Sequence, residues 1–418
     1  MKIKYRLILM NFLQFFVWGA WLITIGNYWF GYKHWEPTDF GLVFMTLGIA
    51  SLFMPAIVGI IADRWLNAEK LYGILHLFSG LFIFFLPFSN NPSSFFWIML
   101  LAMFFYMPTI ALSNTIAYNA LKNSNFDVVK AFPPIRVWGT IGFIIAMWVT
   151  NLTGSKANEY QFYISSFVSV ILAIYSFTLP KCLPQNQKSN DNSWVEAFGL
   201  NAFRLFSNYK MALFFIFAMF LGAALQLTNM YGDTFIDDFK KLPIYANSLV
   251  VRYSTLIMSI SQISETLFIL TIPFFLRKFG IKKVMLISMI AWVLRFGLFA
   301  YGDPAGGLWM IILSCIIYGM AFDFFNISGS LFVETQCDSK IRASAQGVFM
   351  LMTNGIGALT GSYLSGLIIK SFFILENGDK NWHGIWLAFA GYAMVVAVLF
   401  AVFFKHKHDP KAIGNLAH

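Results

Sequence analysis

The sequence predicts an all-α polytopic membrane protein with about twelve transmembrane helices, and three observations support this prediction. Of the 418 residues, 58% are hydrophobic, 19% are aromatic and only 11% are charged, whereas an ordinary soluble protein carries about 25% charged residues. The hydrophobic residues gather in segments of about 20, the length with which a helix crosses a bilayer. The Lys and Arg residues are scattered between these segments rather than collected in one patch. A soluble enzyme and a nucleic-acid-binding protein are therefore both disfavoured.

Twelve apolar segments follow one another along the chain, and the connections between them differ in charge. The segments cover residues 6–29, 38–62, 70–89, 94–120, 133–153, 160–180, 209–231, 247–275, 281–301, 307–334, 343–370 and 382–405. Alternate connections are rich in Lys and Arg, whereas the others mix fewer basic residues with acidic ones. The positive-inside rule places the basic connections, and with them both termini, in the cytoplasm.

One long polar connection divides the segments into two groups of six. We expect an N-terminal six-helix bundle, a cytoplasmic central loop, a C-terminal six-helix bundle and a cytoplasmic tail, at residues 1–180, 181–208, 209–405 and 406–418. The three cysteines, Cys182, Cys315 and Cys337, show no paired spacing. The sequence therefore predicts neither a disulfide framework nor a metal site.

Polar and aromatic side chains that could serve a ligand cluster on particular helices inside the apolar segments. They occur as pairs three or four residues apart, so each pair lies on one helical face: Gln226 and Asn229, Gln262 and Glu265, and Tyr318 and Phe322. Asp323 and Asn326 lie beside the last pair. Amides and aromatic rings without a fixed counter-charge suit a neutral polar ligand near the middle of the membrane. Each polar residue could instead only bond a neighbouring helix.

Three further residues, Arg136, Gln14 and Trp18, allow two interpretations each. Arg136 follows Pro133 and Pro134 at the start of an apolar helix, where prolines fit the first turn and a charge is costly. It either anchors the helix at the cytoplasmic surface or serves a ligand site. Gln14 and Trp18, one turn apart on the first helix, either line a cavity or pack inside the bundle.

Several motifs resemble those of known transporters. The two six-helix halves and the stretch Gly59-Ile60-Ile61-Ala62-Asp63-Arg64 resemble the major facilitator superfamily, in which the Asp-Arg pair acts as a cytoplasmic latch. Longer stretches resemble the bacterial nucleoside:proton symporter family; they lie at residues 12–19, 132–143, 259–268, 318–329 and 342–347. The resemblance runs over almost the whole chain.

This resemblance implies a major facilitator fold and a proton-coupled importer of nucleosides such as uridine or adenosine. The substrate would bind between the two halves, which alternate between outward and inward access. The resemblance implies substrate contacts from nine residues: Arg136, Thr140, Phe143, Gln226, Asn229, Gln262, Glu265, Tyr318 and Phe322. It also implies a latch at Asp63 and Arg64, and a monomer in a bacterial inner membrane.

The chain contains no Gly-rich loop ending in Gly-Lys-Ser/Thr and no separate ATPase domain, so we expect a proton gradient to drive transport without a cofactor. Glu265 and Asp323 are the candidate proton carriers, and the resemblance implies a coupling or conformational role for Asp323. Arg295 is a possible partner of Asp323, although the pair could be a static ion pair between two helices. Glu265 could equally be a hydrogen-bond acceptor for the substrate.

A sugar transporter, a membrane enzyme and a receptor are the alternative functions. The Arg-x-x-Gly stretch that begins at Arg136 also resembles that of galactoside transporters, so a sugar:proton symporter is an alternative. A membrane enzyme is disfavoured because the polar helices carry no metal-ligand cluster and no nucleophile with its base. A receptor is disfavoured because the connections and the tail are too short for a signalling domain.

Overall fold

The computed structural model describes residues 3–184, 200–337 and 342–406. The chain forms two compact units, Met1–Phe198 and Gly199–His418, called here the N-terminal and the C-terminal unit. Most of the predicted central loop, residues 181–208, lies outside the described residues, as does nearly all of the predicted tail, residues 406–418.

Long helices make up the N-terminal unit. They are α1 (Ile3–Gly19), α2 (Pro37–Arg64), α3 (Ala68–Phe85), α4 (Pro92–Asn123), α5 (Val128–Leu152) and α6 (Tyr160–Ser176). A π-helical segment, Asn27–Tyr32, follows α1. Prolines stand at the first turns of α2 and α4, where the missing N–H group would have no helical partner in any case.

The C-terminal unit is built in the same way. Its helices are α7 (Tyr209–Asp238), α8 (Ser254–Ile269), α9 (Ile272–Tyr301), α10 (Leu308–Gln336), α11 (Arg342–Met350), α12 (Ala358–Phe372) and α13 (Trp382–Phe403). A π-helical segment, Leu351–Gly357, joins α11 to α12. Gly280 has a positive φ of 75° and bends α9 there.

Each of the twelve predicted apolar segments coincides with helical structure. Among the described residues, eight helices are long and apolar enough to cross a membrane. The other predicted segments are shorter or interrupted: α6 has 17 residues, α1 ends at Gly19, and the π-helical segment separates α11 from α12. The eighth predicted segment, 247–275, is also divided, because α8 ends at Ile269 and Ile272 begins the next helix.

Many large apolar side chains point away from the packed interior. Phe167 and Ile174 on α6 are 68% and 67% exposed, and Val402 on α13 is 59% exposed. In water such faces would be unfavourable, whereas hydrocarbon solvates them at no cost. Lipid is therefore the solvent that suits the outer surface of these helices.

Candidate functional site

The candidate residues of the N-terminal unit lie on α5. Arg136, Thr140 and Phe143 are spaced at i, i+4 and i+7, which places them along one helical face, and all three are partly buried. The guanidinium carbon of Arg136 lies 3.9 Å from the ring centroid of Phe15 on α1. An arginine stacked on an aromatic face retains a favourable interaction where water is scarce.

Close packing of α1 against α5 makes this stacking possible. A Cβ atom on Gly139 would lie 2.6 Å from both Arg136 Nη1 and Phe15 Cδ2, and a Cβ atom on Gly142 would collide with the Phe12 carbonyl oxygen. Glycine is therefore required at Gly142 if the two backbones are to keep this distance, whereas at Gly139 a Cβ atom would displace the two stacked side chains. The packing thus brings the face of α5 that carries Arg136 onto α1.

The structure separates the two interpretations of Gln14 and Trp18. Gln14 is fully buried, and both polar atoms of its amide are hydrogen-bonded: its Nε2 donates to Thr109 Oγ1 (2.8 Å), while its Oε1 accepts from Tyr72 OH (2.6 Å) and His76 Nε2 (2.8 Å). Gln14 therefore packs inside the bundle.

Trp18 stays beside the candidate residues. Its ring meets that of Phe143 edge-on, with centroids 6.5 Å apart, and lies 5.8 Å from that of Tyr106. Its buried indole Nε1 has no hydrogen-bond partner among the described residues. A buried N–H group without a partner is unusual and leaves Trp18 with a donor available to a ligand.

In the C-terminal unit, α7 and α8 each present a buried amide. Gln226 is 7% exposed and Gln262 is 9% exposed. In both side chains Oε1 has no hydrogen-bond partner within the described part of the chain. Asn229 and Glu265, three residues further along each helix, are partly buried. Gln226 Oε1 and Gln262 Oε1 are therefore acceptor atoms that none of the described residues satisfies.

Helix α10 supplies the aromatic surface and an acid. The rings of Tyr318 and Phe322 are nearly parallel, at 12° with centroids 6.2 Å apart. Asp323 is 4% exposed, and its Oδ2 has no hydrogen-bond partner among the residues described. The Asp323 and Glu265 carboxylates are close enough to interact electrostatically. A Cβ atom on Gly319 would lie 2.7 Å from the Ser264 carbonyl oxygen, so glycine lets α10 approach α8 this closely.

Arg295 on α9 is fully buried but does not pair with Asp323, so that expectation was wrong. Its Nε donates to Thr228 Oγ1 (3.2 Å), and its Nη1 donates to Ser261 Oγ (3.3 Å) and to the Ser314 carbonyl oxygen (2.8 Å). The guanidinium carbon lies 4.5 Å from the Tyr318 ring centroid. Hydroxyls, a carbonyl and a ring thus surround the cation in place of a carboxylate.

The partners of Arg295 stand next to the candidate residues. Thr228 precedes Asn229 on α7, Ser261 precedes Gln262 on α8, and Tyr318 is itself a candidate. Arg295 therefore connects the three helices that present the polar and aromatic groups. The sequence identified Arg295 as a buried charge but gave no signal of these partners, because they come from three separate helices.

The end of the N-terminal unit at which α2 leads into α3 contains a contact that the sequence did not indicate. Glu69 is 3% exposed; its Oε2 accepts from the Cys182 backbone N–H (2.8 Å) and its Oε1 from Asn67 Nδ2 (3.0 Å). Arg64 ends α2 and is exposed, whereas the Asp63 side chain lies outside the described residues. The latch role of Asp63 and Arg64 therefore stays a prediction.

Comparison with known proteins gives close matches over the full length. Residues 1–409 match the family model described as nucleoside H+ symporter. The chain is 51% identical to xanthosine permease of Escherichia coli K12 over 418 residues, covering 100% of this chain and 99% of the relative. It is 50% identical to nucleoside permease NupG of the same organism over 409 residues, covering 98% and 97%.

Solved structures agree with these relatives. The crystal structure of nucleoside transporter NupG matches with a TM-score of 0.91 at 50% identity, covering 97% of this chain and 100% of that chain. The crystal structure of a D-xylose-proton symporter matches with a TM-score of 0.72 at 14% identity, covering 98% and 99%. At that lower identity the likeness concerns the fold alone.

Proposed function

Because the chain belongs to the nucleoside H+ symporter family, we propose that it imports nucleosides together with protons. The all-α major facilitator fold predicted from the sequence is confirmed, and the protein is a multi-pass membrane transporter rather than an enzyme. The alternative of a sugar:proton symporter is not supported. Sucrose permease is only 19% identical to this chain, whereas nucleoside permease NupG is 50% identical and xanthosine permease 51%.

One observation in the C-terminal unit carries the substrate proposal. Three buried acceptor atoms lack partners among the described residues: Gln226 Oε1, Gln262 Oε1 and Asp323 Oδ2. They lie on three helices that Arg295 contacts, and one of these, α10, also carries the stacked rings of Tyr318 and Phe322. Ribose hydroxyls are donors that satisfy such acceptors, and a nucleobase offers a face to an aromatic ring. In our proposal the N-terminal unit adds Arg136, Thr140 and Phe143.

Proton coupling is assigned to the two acids of this unit. An ionised acid near the middle of a membrane helix costs about 2.5–3.5 kcal/mol, and two neighbouring carboxylates disfavour each other's charge. We therefore propose that Glu265 and Asp323 hold at least one proton when the substrate binds. Release of this proton on the opposite side links nucleoside movement to the gradient, by alternating access and without a cofactor.

The setting of the protein completes the proposal. We place it in a bacterial inner membrane, with both termini in the cytoplasm, because the basic connections define that side. It acts as a monomer, and its substrates include uridine and adenosine. The Asp63–Arg64 turn acts as a latch that affects turnover more than binding.

The test is uptake of labelled uridine and adenosine by transporter-deficient cells that express the chain. We expect saturable uptake that a protonophore abolishes and that Glu265→Gln lowers strongly. Glu376→Gln is the matched control, because Glu376 lies in an exposed connection before α13 and should leave uptake unchanged. Well-expressed protein that takes up neither nucleoside would refute the substrate assignment, and uptake insensitive to the protonophore would refute the coupling.

A further inference from the structure

A narrow cleft in the C-terminal unit is lined in part by Phe322, one of the candidate site residues. It is lined by Phe322, by Asn326 one turn later on α10, by Trp292 on α9 and by Asn354 in the π-helical segment. Trp292 packs edge-on against Tyr318, with centroids 5.9 Å apart. The cleft therefore shares Phe322 with the candidate site and touches Tyr318 through Trp292.

Both asparagines in the cleft have spare hydrogen-bonding capacity. Asn326 is partly buried and makes no hydrogen bond to any described residue. Asn354 is exposed, and its one bond runs from Nδ2 to the Met350 thioether at 3.5 Å, a weak acceptor. Contact with hydrocarbon is strongly unfavourable for an amide group that lacks hydrogen-bond partners. Water or a polar ligand is thus the fitting neighbour for this face.

The π-helical segment fixes the position of Asn354. A Cβ atom on Gly222 of α7 would collide with the Thr353 carbonyl oxygen, so the segment is packed directly against α7. Gln226 lies one turn after Gly222 on the same helix. An extra residue in a helical turn redirects the side chains around it, and such turns recur at functional sites. Here the turn places an amide beside the helix that carries Gln226.

We propose that Asn326 and Asn354 form a subsite that binds the edge of the nucleobase and sets the preference among bases. An amide offers a donor and an acceptor side by side, the pattern that also occurs along a base edge. Phe322 lies in the same cleft and supplies a surface for the face of the base. The ribose is held elsewhere, by the acceptors of Gln226 and Gln262. This inference rests on the proposed function.

The experiment measures how other nucleosides compete with labelled uridine uptake. The competitors are adenosine, inosine and cytidine, which vary the base, and 2′-deoxyuridine, which varies the sugar. The variants are Asn326→Ala, Asn354→Leu and Asn354→Gln, which retains the amide. Thr360→Val on α12 is the matched control, because the Thr360 hydroxyl bonds only to backbone carbonyl oxygens three and four residues earlier, at Gly357 and Ile356.

The Ala and Leu variants should change the ratios of inhibition constants among the bases by about 3- to 10-fold, the effect of losing one neutral hydrogen bond. The ratio of uridine to 2′-deoxyuridine should stay constant, and Asn354→Gln should restore part of the base preference. If all inhibition constants change by one common factor, or if none changes, the proposed base subsite is refuted. The assignment of the protein as a nucleoside transporter would still stand. If the wild-type protein takes up no nucleoside, the proposed function fails and the subsite with it.

Discussion

Replacing Arg295 tests whether this residue organises the C-terminal unit through its contacts or only through its charge. Its guanidinium reaches Thr228, Ser261 and the Ser314 carbonyl, and stacks on Tyr318. A lysine ammonium can reach about one of these groups. Arg295→Lys therefore loses two hydrogen bonds of about 0.6 kcal/mol each and a cation–π contact of about 1–2 kcal/mol. The expected destabilisation is about 2–3 kcal/mol, because the charge itself stays buried.

Arg295→Met is expected to behave differently. It loses all of these contacts, about 3 kcal/mol in total, but it also removes a buried charge that costs about 2.5–3.5 kcal/mol within a membrane helix. The two effects nearly cancel, so the stability should lie within about 1 kcal/mol of the parent. Nucleoside binding should weaken in both variants, since neither holds Thr228, Ser261 and Tyr318 together.

The assay combines reversible unfolding in mixed micelles of detergent and dodecyl sulfate with nucleoside binding by calorimetry. The parent should be the most stable, Arg295→Met should be nearly as stable, and Arg295→Lys should be the least stable. Arg277→Lys is the control, because Arg277 is exposed and its replacement should change stability by less than about 0.5 kcal/mol. A Lys variant as stable as the parent, together with a Met variant that is much less stable, would refute the reasoning. Unchanged binding in both variants would show that Arg295 does not position the site.

Two further predictions test packing and charge outside the site. Gly142→Ala places a Cβ atom against the backbone carbonyl of Phe12, so α1 must shift; we expect a loss of about 1–3 kcal/mol. Gly59→Ala is the control, because its Cβ meets nothing within 4 Å, and it should gain up to about 1 kcal/mol of stability from helix propensity. If the two alanine variants changed the stability measured by mixed-micelle unfolding equally, the packing argument would be contradicted. Burial lowers the pKa of Lys380 below its ordinary 10.5, although the Asp238 carboxylate 3.7 Å away opposes this shift. Between the lowered value and 10.5 the unfolded chain binds more protons, so this lysine makes stability rise with pH in that window. Lys380→Met should remove this contribution, so the slope of stability against pH should be smaller than in the parent just below pH 10.5, and an unchanged slope would contradict the assignment.

The positions of the helices could be predicted from the sequence because lipid demands long apolar segments. The ends of the helices were less predictable. The seventh segment was expected to end at residue 231, whereas α7 continues to Asp238. Asp233 and Asp237 end the apolar pattern, yet they are 0% and 5% exposed inside the bundle. Hydrophobicity therefore reports where a helix meets lipid and not where the helix stops.

The candidate site was predictable to a lesser extent. Spacing alone placed Gln226 and Gln262 each on a face with a second polar residue, and both amides are buried with an acceptor atom unsatisfied. The pairing of Arg295 with Asp323 was wrong, since charge complementarity says nothing about how α9 is rotated against α10. The role of Gln14 was open for the same reason, because its partners Tyr72, His76 and Thr109 lie 58 to 95 residues away in sequence.

The two units secure their first and fourth helices by related means. In the N-terminal unit His76, on the third helix, donates to Gln14 on α1 and packs edge-on against Tyr106 on α4. In the C-terminal unit Arg295, also on the third helix, bonds Thr228 on α7 and stacks on Tyr318 of α10. Association of helices in lipid gains little from the hydrophobic effect and depends on packing and polar contacts. A buried polar residue on the third helix thus fixes how the first helix is rotated, and with it the direction in which Trp18 or Gln226 points. On this argument the substrate contacts depend on residues that touch no substrate, which is why the Arg295 variants should separate binding from stability.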